Sequence, residues 1–230
     1  MMREFNLLDN YPAPDKPRLV NPKIRTIKNR IIATYRDKEL YDGKRNNGYG
    51  GYKYDGRWIR VAKKICSEYN LDNKSSFLHI GCEKGFLMHD IQNLYPEMNI
   101  CGVETSEYAI TNSMKNIKNK IINSDYMNFK RFKNNSFDFV YATGVIYTFN
   151  ITDAIKCLKE IIRISKNNSF ITLASYSNKN DYWLFKNWTL LGTTILLKKE
   201  WISVLKHVGY KGDYYFTNAN TLNLKNKEPS

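Results

Sequence analysis

Acidic residues are in short supply in this chain: its 230 residues hold 22 Asp+Glu against 36 Lys+Arg, a formal net charge of +14. Histidine is scarcer, with three, and the four cysteines (Cys66, Cys82, Cys101, Cys157) stand far apart, with no C-x-x-C pair and no histidine to complete a ligand set. That spacing argues against a metal site and for free, mostly buried thiols in a reducing compartment. No apolar run approaches the roughly 18–20 residues of a membrane span. The opening MMREFNLLDNYPAPDKPRLVNPK lacks an apolar block followed by a small-residue cleavage site, so we expect no secretory leader and a cytoplasmic location. With 42% apolar and 14% aromatic residues, the composition is not that of a disordered chain. The positive charge can serve phosphate neutralisation on a nucleic acid. Here, however, it is mainly lysine, spread evenly and accompanied by much Asn, Ile and Tyr. We read it as a bias of the whole chain, with nucleic acid the less expected partner.

From about residue 77 strand-like and helix-like segments alternate. FLHIG (77–81), NICGVE (99–104), KIIN (120–123), SFDFVYA (136–142) and SFITLAS (169–175) read as strands. FLMHDIQNLY (86–95), EYAITNSMKNIK (107–118) and TDAIKCLKEIIRI (152–164) place apolar residues at helical spacing, the last with Thr152 or Asp153 as its cap. Such alternation predicts βαβ units and an α/β, doubly wound, mostly parallel sheet with helices on both faces. Ligands of these sheets bind beyond the carboxyl ends of the strands, where strand order reverses. Upstream, residues 10–22 suggest an extended arm, and 23–40 and 57–70 suggest helices. Between them YDGKRNNGYGGYKYDGRW is dense in Gly and Tyr, too aromatic for an ordinary loop. We divide the chain into an N-terminal arm and cap (1–70), a main domain (71–222) and a frayed tail (223–230).

LHIGCEKGF sits at the first strand-to-helix turn, where Gly81 and Gly85 allow tight turning and close approach, and the N–H groups around Cys82 face the strand ends. Alone this G-x-x-x-G is a weak signal. About 20 residues further on, Glu104 ends the second strand, where a carboxylate can accept from ribose hydroxyls. Asp125, after the third strand, can accept from an adenine amino group.

These residues resemble the class I S-adenosylmethionine-dependent methyltransferases over 77–175, which implies a Rossmann-like fold and S-adenosylmethionine as cofactor. Leu78–Gly85 is similar to their first motif. GVETSEYAI resembles the ribose-gripping segment, implying cofactor contacts at Glu104 and Thr105. NSDYMNF resembles the adenine-reading segment, implying Asp125 and Tyr126. FDFVYATGVIYTF resembles the fourth strand and the loop towards the acceptor. GYGGYKYDGRW resembles a preface in small-molecule methyltransferases of bacterial surface-glycan pathways, and the segment KKEWISVLKHVGYKGDYYF the last helix and strand. The preface implies that Tyr49, Tyr52, Tyr54, Arg57 and Trp58 cap the cofactor, with Tyr52 and Arg57 on the cofactor itself, Arg57 against its carboxylate, and Tyr49 towards the acceptor. Two departures stand out. His79 replaces an acidic residue, and Glu83 replaces a glycine, where it could repel the methionine carboxylate or compensate the sulfonium.

Methyl transfer is an in-line displacement that needs alignment and exclusion of water. The acceptor loop offers Thr143, Tyr147 and Thr148, none an obvious base; we expect Tyr147 nearest the transferring methyl, orienting the acceptor. The N/D-P-P-Y/W signature of amide and DNA amino-group methylation is missing, which favours oxygen as acceptor. SYSNKNDYWLFKNWTLLGTT suggests a substrate cover with Tyr176, Asp181, Trp183 and Trp188, and with Lys179 and Lys186 for phosphate. The expected function is O-methylation of a small sugar, nucleotide-linked or phosphorylated precursor of a surface glycan. An RNA methyltransferase and a cofactor-binding regulator are the alternatives. A nicotinamide dehydrogenase is disfavoured by the missing third glycine.

Overall fold

The computed structural model describes residues 2–14, 16–127 and 129–227. Strand β1 (Arg3–Glu4) and β2 (Arg18–Val20) belong to the arm. Helix α1 (Ile27–Thr34) and α2 (Lys38–Tyr41) replace the single helix expected over 23–40. The break falls at Arg36, whose φ of 49° is left-handed, and Asp37 restarts the helix by accepting a hydrogen bond from Glu39 N–H at 2.9 Å. Helix α3 (Ile59–Glu68) precedes the alternating series. That series runs β3 (Ser76–Ile80), α4 (Phe86–Leu94), β4 (Asn99–Glu104), α5 (Glu107–Thr111), β5 (Ile121–Asn123), β6 (Phe137–Ala142), α6 (Ile151–Ile164) and β7 (Ser165–Tyr176). Then come α7 (Lys179–Trp188), β8 (Leu196–Leu197), α8 (Lys198–Val208), β9 (Asp213–Thr217) and β10 (Leu224–Asn226).

The sheet order is β1-β9-β7-β6-β3-β4-β5, with β8 against the end of β7, and the described pairs all run parallel. The chain winds outward from β3 to β5, then restarts at β6 on the other side of β3. The strand order therefore reverses between β3 and β6. Alternation along each strand explains the layers. Leu78, Ile80, Val140, Ala142, Ile171 and Leu173 face α6 and α8, where Leu158, Ile161 and Trp201 are buried. Phe77, Phe139, Tyr141 and Phe170 face α3 and α4, against Ile65, Leu87 and Ile91. The Trp201 indole fixes α8 to β7 by donating to the Ala174 carbonyl at 2.7 Å.

Three expectations need correction. Helix α5 ends at Thr111, because Asn112 caps it and Met114 N–H turns to the Lys84 carbonyl at 3.1 Å. The cap of α6 is Asn150, which accepts from Asp153 N–H at 3.0 Å, rather than Thr152 or Asp153. The tail expected to fray from residue 223 pairs instead, Leu224–Asn226 against Arg18–Val20, and buries Leu224 beside Val20 and Leu184. Residues 228–230 lie outside the described residues. Among the described residues no helix is long and apolar enough to cross a membrane.

Candidate active site

The turns after β3 and β6 open into a cavity of about 290 Å³. Gly81, Cys82 and Glu83 line one side, and Thr143, Gly144, Val145, Tyr147 and Thr148 the other; Glu104 and Tyr126 close one end. Gly81 has φ 72°, and a Cβ there would stand 2.5 Å from Val145 Cγ2, so the closeness of the two turns depends on glycine. Opposite the strand ends, residues between Arg36 and Trp58 supply Tyr41, Tyr49, Tyr52 and Trp58, and the end of α7 supplies Trp188.

Lysine 84 explains why the Gly/Tyr segment lies there. Its buried ammonium donates to Asp42 Oδ2 at 2.5 Å and to the Tyr52 carbonyl at 2.9 Å, while Asp42 also accepts from Tyr52 N–H and the Tyr108 hydroxyl. Tyr52 then stacks on Phe86 at the start of α4, ring centroids 4.8 Å apart, and Tyr41 packs against Tyr49 and Tyr108.

Glu104 is fully buried and heavily bonded. Its Oε1 accepts from Thr105 N–H and Ser106 N–H, both at 2.8 Å, and from the Tyr126 hydroxyl at 2.7 Å; Oε2 accepts from Glu83 N–H at 2.8 Å. These bonds fix the carboxylate and leave Oε2 with acceptor capacity towards the cavity. Thr105 does not line the cavity; it supports Glu104. Glu83 takes the left-handed φ of 53° expected of the glycine it replaces. Burial pushes its carboxyl up to about 7, against the pull of hydrogen bonds from the Tyr49 and Tyr52 hydroxyls. His79 is buried, and burial lowers its pKa to about 3, so the ring is neutral; its Nδ1 and the indole Nε1 of Trp58 have no partner among the described residues. Both side chains line the cavity.

Several expected positions lie elsewhere. Arg57 is outside the lining, its guanidinium held by Asp55 and Tyr11. Asp125 is exposed and accepts from Met127 N–H at 2.7 Å in a local turn. Gly85 caps α4 without reaching the cavity. Tyr54 donates to Asp90. Asp181 is buried and receives Ser177 N–H and Ala219 N–H, a structural role. Trp183 packs around Val20 and Leu184, and Tyr176 against Tyr182. Lys179 and Lys186 do not line the cavity, whereas Trp188 does. Sequence reasoning missed Arg25, Arg36, Arg45 and Tyr41, whose meeting depends on the break between α1 and α2.

Residues 78–173 match the model of a family described as a methyltransferase domain. Over that stretch the chain carries a methyltransferase domain. Comparison with curated proteins gives no match. Among solved structures, the [4+2]-cyclase SpnF superposes with TM-score 0.56 at 17% identity, covering 86% of this chain and 74% of that one. A chain of the complex between the Haloferax volcanii Trm112 methyltransferase activator and a methyltransferase gives 0.52 at 16%, over 67% and 73%. An S-adenosylmethionine-dependent methyltransferase from Archaeoglobus fulgidus gives 0.51 at 15%, over 66% and 69%. At these identities the likeness is one of fold.

The donor set fits the cofactor. Glu104 Oε2 would accept from ribose hydroxyls, and the backbone around Gly81 leaves room for close approach. The unpartnered His79 nitrogen would accept from the methionine ammonium, and the Trp58 indole N–H would donate to its carboxylate. When bound, S-adenosylmethionine supplies a methyl group activated by its sulfonium.

Proposed function

We propose that the methyltransferase acts on oxygen of a small acceptor, a sugar, nucleotide-linked sugar or phosphorylated precursor of a surface glycan, in the cytoplasm. The carrying observation is the aromatic roof: Tyr41, Tyr49 and Tyr52, with Trp188, cover the cavity opposite the strand ends, which favours a small acceptor over a polymer. In this reading residues 1–70 cap a catalytic domain of 71–222. Glu104 and Tyr126 hold the nucleoside, Tyr49 and Trp188 face the acceptor, and Tyr147 orients it. Burial holds the Tyr147 hydroxyl up at about 12, which suits a hydrogen-bond donor rather than a base. Glu83, held near neutrality in the same cavity, is the group suited to take the proton of a hydroxyl acceptor. Alignment and dryness then come from the aromatic roof.

The test is labelling of a cell extract with radioactive methyl donor and purified enzyme, followed by separation of products by size. Label in small, glycosidase-sensitive metabolites supports this reading. Label confined to RNA contradicts it and favours the alternative that the +14 charge suggests.

A further inference from the structure

Three guanidiniums, Arg25, Arg36 and Arg45, line the cavity alongside Trp188. Their hydrogen-bond partners, where present, are neutral carbonyls: Arg25 donates to that of Trp188, and Arg45 to those of Gly48 at 2.8 Å and Tyr49 at 3.0 Å. Among the described residues none of the three forms an ion pair. Arg18 adds to the group, its guanidinium 5.5 Å from the Trp188 ring centre and that of Arg25 5.2 Å from it. Burial, then repulsion from Arg45, Arg18 and Arg30, lowers Arg25 to about 10. Such a gathering of like charge is unfavourable unless an anion completes it.

The cofactor does not supply that anion, since sulfonium and ammonium outweigh its one carboxylate. Of the cavity's glutamates, Glu104 is engaged by five donors, and Glu83 by tyrosine hydroxyls. Arg36 feels the charge of Glu83, whereas Arg25 and Arg45 form no ion pair among the described residues, so the anion that completes them arrives with the acceptor. The geometry points to a phosphoryl group on the acceptor, received by Arg25 and Arg45 beside Trp188, with Arg36 on the cofactor side above Tyr126. Arginine forks match phosphate oxygens in pairs, and a phosphate monoester carries more charge than one carboxylate. This inference rests on the small-acceptor reading above and replaces Lys179 and Lys186 as the phosphate contacts.

Calorimetric titration of the full chain with inorganic phosphate, with acetate, and separately with S-adenosylmethionine tests it. Phosphate should bind wild type and Lys179→Gln/Lys186→Gln alike, at least tenfold more weakly to Arg25→Gln/Arg45→Gln, and recover in part with Arg45→Lys in place of Arg45→Gln. Circular dichroism checks that the variants fold, and the exposed Arg45→Gln alone should still weaken phosphate severalfold. Equal phosphate binding by wild type and Arg45→Gln, or acetate binding as tightly as phosphate, overturns the proposal. Arginine-dependent phosphate binding without binding of S-adenosylmethionine would support the anion site while refuting the cofactor-dependent reading. The reverse pattern would remove the phosphoryl site alone.

Discussion

At the scale of single residues, the site is governed by how carboxylates are satisfied. Glu83 is raised from the ordinary value of 4.5 to about 7 by burial. The folded state therefore holds a proton there that the unfolded state releases, so stability is lost as pH rises from about 4.5 through about 7. His79, lowered to about 3, acts oppositely and loses stability as pH falls below 6.5. The two slopes nearly cancel between about pH 4.5 and 6.5, so Glu83→Gln should expose that of His79 as a melting temperature that rises from pH 5 to pH 6.5, read by scanning fluorimetry; the same pH profile as wild type would contradict the buried placement. A second expectation concerns Tyr126, whose hydroxyl occupies Glu104 Oε1 and lies 3.8 Å from where a Gly81 Cβ would stand. Tyr126→Phe removes a donor to Oε1 and leaves Oε2, the oxygen that would meet the ribose, untouched, so cofactor affinity should hold within about tenfold, a change worth about 1.4 kcal/mol. A tenfold loss would show that the hydroxyl itself binds the cofactor. The sequence pointed to Glu104 through strand phase and to Tyr126 through the family resemblance, but not to the bond between them, which arises from side-chain direction.

At the scale of elements, strands were the legible part. Asn99–Glu104 has the bounds expected from its pattern, and the other central strands differ at their ends. Helix ends were harder because caps are local competitions: Asn150 precedes Thr152 and Asp153, and any of the three can cap. The Gly/Tyr segment was legible as unusual, but its attachment through Lys84 and Asp42 was not, since the partners lie 42 positions apart. Gly48 is where this attachment is tightest, for a Cβ there would come within 1.8 Å of the Leu40 carbonyl oxygen. Gly48→Ala should destabilise by about 2–3 kcal/mol in urea unfolding, because backbone must move. Loss of the α6 cap in Asn150→Ala should cost about 1 kcal/mol. The opposite ranking would mean that the segment yields easily and does not hold Tyr49 over the cavity.

For the whole molecule, alternation of strand and helix was sufficient to indicate a doubly wound sheet, because each central strand is buried on both faces. What composition could not show is where charge gathers. The lysines are spread, yet arginines from three separate stretches meet around Trp188, a consequence of folding the arm and α1 over the strand ends. The same closure recruits the C-terminal strand, and Leu224→Ala should cost about 2–3 kcal/mol by opening a cavity beside Val20 and Leu184; an unaltered melting temperature would mean that the strand is dispensable. Asp125, counted as an adenine contact from strand phase, is exposed, so in the proposed function Glu104 is the carboxylate that holds the nucleoside. Calorimetric titration of S-adenosylmethionine into wild type, Glu104→Gln and Asp125→Asn measures this directly. The account predicts binding to wild type, at least tenfold weaker binding to Glu104→Gln, and a value for Asp125→Asn within about twofold of wild type. Undiminished affinity in Glu104→Gln would contradict it.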